Sequence, residues 1–196
     1  FLTRLREYGF SSLNQPADFY GIGLALGGGE VTLYELAQAY RSLARKGLFE
    51  PVQAVSEING KAVVAASTSH IISSPQNHFI ISDILSDAHA RTTEFGFNSI
   101  LNLPFACAVK TGTSFKFCDN WTVGYTRDYT LGVWVGNFDH TPMMKVSGVS
   151  GAGPIFAGIM MQLYKDRPWP DPFTVPEGLA RVTICPLSGK RATEAC

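Results

Sequence analysis

From Pro104 onward the hydrophobic pattern of this 196-residue chain changes period, and that change limits the folds open to it. Phe105 to Thr111 reads as a short buried strand. Trp121 to Thr126 and Tyr129 to Asn137 each alternate bulky and small residues, with Arg127-Asp128 as the turn between them. Three successive strands on short loops imply an antiparallel sheet, because parallel neighbours need long crossovers. Gly151 to Pro154 then leads into a helix with Ile155, Ile159 and Leu163 on its apolar face. Upstream of Pro104 the pattern is helical. Thr32-Leu33-Tyr34-Glu35 has the form of a capping box, in which the Thr oxygen accepts an early N–H and Glu35 reaches back to the cap. Leu33, Leu36, Ala37, Tyr40, Leu43 and Ala44 follow at helical spacing, predicting one buried stripe. Arg45 and Lys46 suit the negative helix end, and Gly47 stops it. Ser74-Pro75 opens a second helix, with Phe79, Ile80, Ile84, Leu85 and Ala88 as its apolar face and an end near Arg91. Helices flanking an antiparallel sheet make an α+β fold.

Composition narrows the function. Sixteen basic and sixteen acidic residues cancel and form no basic stripe, so nucleic acid is not expected as a partner. No apolar run reaches membrane length, and no repeat or low-complexity tract occurs. The four cysteines form no C-x-x-C, and His70, His78, His89 and His140 are scattered, so neither a metal site nor a cofactor is expected. Gly27-Gly28-Gly29 lacks the Gly-Lys-Ser/Thr continuation of a phosphate loop and reads as a turn before the capped helix. Tyr125, Trp134 and Phe138 read as core aromatics of strands. The chain opens on Phe1 without an initiator Met and stops at Cys196, which suggests a piece of a longer protein.

The sharpest local signal is Lys110-Thr111-Gly112-Thr113-Ser114 at the end of the first strand. Lys-Thr-Gly is one of three short motifs of penicillin-binding proteins and serine β-lactamases. An ammonium there attracts a substrate carboxylate and biases nearby proton transfers. The hydroxyls of Thr111 and Thr113 can hydrogen-bond that carboxylate. Gly112 lets a peptide lie against the strand edge, and the Thr113 N–H points where an oxyanion would form. The whole stretch Ala108 to Asn137, with Asp119-Asn120-Trp121-Thr122-Val123-Gly124-Tyr125-Thr126 and Gly132-Val133-Trp134-Val135-Gly136-Asn137, resembles penicillin-binding transpeptidases. So do Tyr20-Gly21, the run Leu24 to Thr32, Ile84-Leu85-Ser86-Asp87, and Val146 to Pro154, in order and spacing. Within that family the likeness is to the bifunctional class A kind, type 1C.

The resemblance implies a β-lactamase/transpeptidase-like partial domain over residues 1–168. Residues 169–196 would be a Pro-rich linker and the start of an appended C-terminal β domain, with Arg181 to Cys185 as a strand. It implies a peptidoglycan D,D-transpeptidase acting on D-Ala-D-Ala stem peptides, acylated also by β-lactam antibiotics, with a glycosyltransferase domain upstream. The parent would be periplasmic, anchored to the inner membrane by a segment absent here. By the same resemblance Lys110 and Thr113 are catalytic, and Thr111, Gly112, Thr113 and Ser114 bind substrate. The nucleophile departs from the pattern: none of the fifteen serines has Lys three residues later, as Ser-x-x-Lys requires. Ser12-Leu13-Asn14 has the form of the second motif, Ser-x-Asn, but lies too near Gly27-Gly28-Gly29 and reads as a surface loop. The chain alone is therefore expected to be inactive, to need the missing N-terminal half of its domain, and to self-associate without it. The other readings are a non-catalytic β-lactam sensor or scaffold of the same fold, and a serine β-lactamase, which lacks such an appended domain. An oxidising periplasm would also pair Cys185 with Cys196 across a short loop, leaving Cys107 a packed thiol and Cys118 in a loop too far along the hairpin to face it.

Overall fold

The computed structural model describes residues 1–63 and 68–193. In chain order its elements are α1 (Leu2–Glu7), α2 (Ala17–Tyr20), a 3-10 turn (Ile22–Leu26), α3 (Leu33–Ala44), β1 (Leu48–Phe49), β2 (Glu57–Ile58), β3 (Lys61–Ala62) and β4 (His70–Ile71). There follow α4 (Pro75–Ser86), α5 (Thr92–Phe95), β5 (Ala108–Thr113), a second 3-10 turn (Phe115–Phe117), β6 (Asp119–Tyr125), β7 (Thr130–Gly136) and α6 (Ala152–Leu163). Strands β5, β6 and β7 form an antiparallel sheet in that order, while β1 pairs with β4 and β2 with β3 in two small ribbons. The alternating segments thus form the expected meander. β5 starts three residues later than its apolar run, because Phe105 and Cys107 are buried in the loop ahead of it.

Alternation along the strands sorts the side chains onto two helix layers. Val109, Leu131, Val133 and Val135 face α6 and share a core with Leu101, Phe105, Phe156 and Met160. On the other face Tyr125 meets Tyr40 of α3 edge-on and hydrogen-bonds Ser82 of α4 at 2.8 Å. Gly132 lies under Leu33 of α3, where a Cβ would come within 2.8 Å of its Cδ1. The result is a sheet held between α3/α4 and α6, the α+β layering expected from the sequence.

The expected helix faces need correction. α3 carries its capping box as read, but its fully buried residues are Glu35, Gln38, Ala39 and Ser42, with the apolar stripe half-buried against the sheet. Residues 1–31 cover that second side, where Leu2, Phe10, Leu13 and Leu24 close a separate core on Ala39. α4 ends at Ser86 rather than near Arg91, and it buries His78 and Ser82 while Ile80, Ile81 and Ile84 stay exposed. His78 is held in the interior by hydrogen bonds: its Nδ1 lies 2.9 Å from the Ser74 carbonyl and its Nε2 2.9 Å from the Tyr8 hydroxyl. Gly47 leaves it room, since a Cβ there would stand 2.5 Å from the imidazole, and its φ of 91° suits glycine. In α6 the buried face is Ala152, Phe156, Ala157 and Met160, with Ile155 and Ile159 exposed. That helix is apolar on every side, so periodicity alone does not select the face.

The Pro-rich segment is extended but docked: Trp169 packs on Phe105, Phe173 on Tyr125, and Arg127 pairs with Asp171 at 3.1 Å. Arg181 to Cys185 contributes an isolated bridge, Ile184 to Arg191, in place of the expected strand. Cys107 is a packed thiol as expected, its ionisation pushed up to about 12 by burial despite the nearby Arg91 cation. Cys118 follows the second 3-10 turn, in the expected loop. Cys196, and with it the expected pairing to Cys185, lies outside the described residues.

Glu35 is the charged hub of the N-terminal half. Its carboxylate accepts from the Ser11 hydroxyl, the Ser12 N–H and hydroxyl (2.7 Å each), the Thr32 N–H (3.0 Å) and the Thr32 hydroxyl (3.2 Å). Burial raises the pKa of this group, but the donors from Thr32, Ser11 and Ser12 outweigh it and hold the carboxyl at about 2, against 4.5 ordinarily. A depressed pKa contributes stability that is complete above 4.5 and is lost as pH falls toward about 2. That contribution is at most on the order of 3 kcal/mol, less whatever solvent screens. Urea unfolding between pH 5 and 2 is expected to show this loss, and Glu35→Gln to flatten it while lowering stability at neutral pH. Equal pH profiles for the two proteins would refute the assignment.

Candidate functional site

Everything at the Lys110–Ser114 segment follows from one clasp. The Ser114 N–H donates to the Asp119 carbonyl at 2.9 Å, the Ser114 hydroxyl to Asp119 Oδ2 at 2.8 Å, and the Asp119 N–H to Ser114 Oγ at 2.8 Å. Asp119 Oδ1 also accepts from the Trp134 indole at 2.9 Å, so one carboxylate ties all three strands. The pairing of Ser114 with Asp119 makes theirs a hydrogen-bonded position of the ladder. Antiparallel pairs alternate, so Gly112/Trp121 and Lys110/Val123 are bonded inward, and the backbone groups of Val109, Thr111 and Thr113 point outward. Among the described residues no strand pairs with that outer edge of β5.

Lys110, Thr111, Gly112 and Thr113 therefore lie along one open strand edge, with their side chains on two faces, while Ser114 is turned inward to Asp119. Lys110 is exposed, and its Nζ reaches the outward Thr111 carbonyl at 2.6 Å. Thr111 and Thr113 project toward the α6 side, Lys110 and Gly112 toward the α3/α4 side. The Thr113 N–H faces the edge, while its hydroxyl accepts from the Gly148 N–H at 3.0 Å and keeps its own proton to donate. Ser114 is committed to Asp119 and closes the hairpin. Ser12 is exposed in a loop, as expected, and its hydroxyl is spent on Glu35.

Two glycines behave in opposite ways. A Cβ on Gly112 would meet nothing nearer than Trp121 Cβ at 3.5 Å, an ordinary contact, so no neighbour within the fold demands glycine there. A Cβ on Gly148 would stand 2.5 Å from the Gly112 carbonyl and 2.7 Å from that of Trp121. Gly148 also accepts from Thr122 at 3.0 Å and from the Gly153 N–H at 2.8 Å. It is thus the point where the loop before α6 is laid onto the sheet behind Thr113. Reading Lys110 to Ser114 alone missed Gly148 and Asp119 as positioning residues; their signals were the Gly-rich run before α6 and an acid five residues after a turn serine. The second 3-10 turn adds a further feature, since Lys116 and Phe117 have φ of 57° and 61° and Phe115 is exposed. Gly148→Ala is expected to cost about 2 kcal/mol in urea unfolding, as overpacking against backbone does, and Gly112→Ala well under half of that. The reverse order would show that the loop is not seated on Gly148.

No family model matches the chain. Penicillin-binding protein 1A of Clostridium perfringens is 28% identical over 172 residues, covering 83% of this chain and 20% of its own length. Penicillin-binding protein 1C of Escherichia coli is 26% identical over 157 residues, 79% of this chain and 19% of that protein. The chain thus spans about a fifth of these relatives. Among solved structures, penicillin-binding protein 1A from Haemophilus influenzae superposes with a TM-score of 0.76 at 18% identity, over 97% of this chain and 34% of that one. Penicillin-binding protein A from M. tuberculosis, solved as an imipenem acyl-enzyme complex, gives 0.55 at 18% identity over 81% of this chain and 41% of its own. The chain is thus similar in sequence to penicillin-binding proteins 1A and 1C, and its sheet and flanking helices share the fold of the solved penicillin-binding proteins.

Proposed function

We propose that this chain supplies the strand wall of an acyl-transfer cleft in a peptidoglycan D,D-transpeptidase, and that the nucleophilic serine comes from outside these 196 residues. The observation that carries the reading is the outer edge of β5, which has no strand partner among the described residues: the backbone groups of Thr111 and Thr113 point outward there, and the exposed Lys110 lays its ammonium on the Thr111 carbonyl. A D-Ala-D-Ala peptide can add to that edge as a strand, its backbone pairing with Thr111. Its terminal carboxylate would take the Thr111 and Thr113 hydroxyls on the α6 side, with the Lys110 ammonium reaching round the edge from the other face. A serine from the rest of the domain would attack the penultimate carbonyl, and the Thr113 N–H would stabilise the oxyanion. The C–N bond then breaks, terminal D-Ala leaves, and the acyl group passes to an amine or to water. Gly112, which no neighbour constrains, keeps the edge clear for the peptide, and Ser114 serves by holding the hairpin in register. β-Lactams would acylate the same serine.

The remaining readings rest on the same likeness. Residues 1–168 are the distal part of the transpeptidase domain, and 169–196 a Pro-rich linker and the start of an appended C-terminal β domain. The periplasm is the compartment, with the membrane anchor and a glycosyltransferase domain elsewhere in the protein; among the described residues no helix is long and apolar enough to cross a membrane. The exposed isoleucines of α4 and α6 are the seats of the rest of the domain, and without it they favour contact with a second copy.

Two experiments test this. In a protein that joins this chain to a Ser-x-x-Lys segment, Lys110→Ala is expected to slow penicillin acylation about ten- to a hundredfold, the worth of one charge-assisted hydrogen bond, with the unfolding midpoint unchanged. Unaltered acylation in the folded variant would remove Lys110 from the site. The 196-residue chain by itself is expected to take no covalent label from a fluorescent penicillin on denaturing electrophoresis. Labelling of any of its serines, Ser12 included, would show that the nucleophile is present after all.

A further inference from the structure

Away from the strand edge, a cavity of about 360 Å³ opens between the end of α3, the start of α4, the β6–β7 turn and the Pro-rich segment. None of the residues from Lys110 to Ser114 lines it. Its floor is apolar, formed by Leu43, Phe79, Phe173 and Pro176. His78 and Ser82 also line it, but their polar atoms are engaged with Tyr8, Ser74 and Tyr125. Three cations complete the wall, Arg45, Lys46 and Arg127, and no carboxylate is among the lining residues.

These cations are available to a ligand. Lys46 has no ion pair among the described residues. Arg127 pairs at 3.1 Å with Asp171, whose side chain is 83% exposed, and an exposed pair of this kind is weak. Arg45 pairs with Glu50 at 2.9 Å, but Arg41 holds the same carboxylate at 3.1 Å, so Glu50 stays paired if Arg45 turns away. An apolar pocket with charge of one sign on its wall and no counter-charge among its lining residues selects for a ligand of the opposite sign with an apolar body.

We infer that this cavity is a binding site for a small amphipathic anion, an aryl or alkyl carboxylate of about ten to fifteen heavy atoms, a size such a pocket encloses. The apolar body lies on Phe79 and Phe173, and the carboxylate meets Lys46 and the two arginines. Phe173 packs on Tyr125, and Tyr125 pairs with Ala108, two residues before Lys110 on β5, so occupancy bears on the wall behind the strand-edge site.

The probe is 4-phenylbutyrate, compared with its neutral analogue 4-phenylbutan-1-ol, titrated into the full chain and followed by NMR of the phenylalanine rings. Saturable binding of the acid is expected, at least about tenfold tighter than the alcohol at low salt, with the gap closing as salt is added. The triple variant Arg45→Gln/Lys46→Gln/Arg127→Gln, which removes every cation of the wall, is expected to bind acid and alcohol alike. Equal affinities in the unmodified chain, an acid preference that survives in the triple variant, or no saturation by the acid up to about 10 mM, where binding is worth under about 3 kcal/mol, would each overturn the inference. The acid-to-alcohol ratio and its salt dependence decide the matter in the unmodified protein even if the variant fails to fold.

Discussion

The clasp between Ser114 and Asp119 fixes which side of β5 every group of the candidate site occupies. Side chains on a strand change face with each residue, and ladder hydrogen bonds change edge with the same period. A slip of one residue would send Lys110 and Gly112 to the α6 side and turn the Thr113 N–H inward toward β6. Three hydrogen bonds across a five-residue span, with Trp134 closing on the remaining carboxylate oxygen, make that slip costly. The site therefore needs no rigid loop of its own. Its geometry comes from the register of a sheet whose inner face is filled by Val109, Val133 and Phe156.

The helices on the other face are joined by polar contacts as much as by apolar ones. Glu35 collects Ser11, Ser12 and Thr32; Gln38 spans to the Glu50 carbonyl and the Val52 N–H; His78 links Tyr8 to Ser74; and Ser82 bonds Tyr125. Each of these buried groups is matched, which is the condition for such contacts to stabilise. Matching also makes them directional. A hydrophobic stripe tolerates rotation of a helix by a fraction of a turn, whereas Tyr125 reaches Ser82 at only one setting of α4 against the sheet. This fixes the wall behind β5 as firmly as the clasp fixes its edge.

That division explains what could be read from the sequence. The capping box at Thr32, the proline-marked start at Ser74 and the three alternating strands rest on local chemistry, and each is found, with β5 displaced by three residues at its start. Helix faces depend on what a helix meets. For α4 the apolar pattern indicated Phe79, Ile80 and Ile84, yet the partners available were the hydroxyls of Tyr8 and Tyr125, which His78 and Ser82 answer. For α6 every side is apolar, and the choice fell to Phe156 because Gly124 leaves a gap beneath it: a Cβ there would stand 2.8 Å from the ring. At the site, Lys110, Thr111 and Gly112 were legible as a motif. The roles of Gly148 and Asp119 were not, because they are defined by contacts 35 residues and 15 residues apart in the chain, Thr113 to Gly148 and Asp119 to Trp134.

The same reasoning accounts for the surfaces left uncovered. Ile80, Ile81 and Ile84 on α4, with Ile155 and Ile159 on α6, lie on opposite layers of the molecule, and the outer edges of both β5 and β7 are unpaired among the described residues. Exposed isoleucines on a single helix would suggest one partner on one side. Two apolar faces on opposite layers, flanking a sheet with an open edge at each end, suggest a body that continues the layers themselves. A strand added at β7 would extend the sheet beneath helices seated on both isoleucine faces, while β5 would remain open. The distinction between the two edges is already present in the residues. β7 offers Leu131, Val133 and Val135 toward the core it shares with α6 and carries no charged side chain along its length. β5 ends in an exposed lysine, a bare glycine and threonines, a sequence that suits an edge contacted by polar ligands.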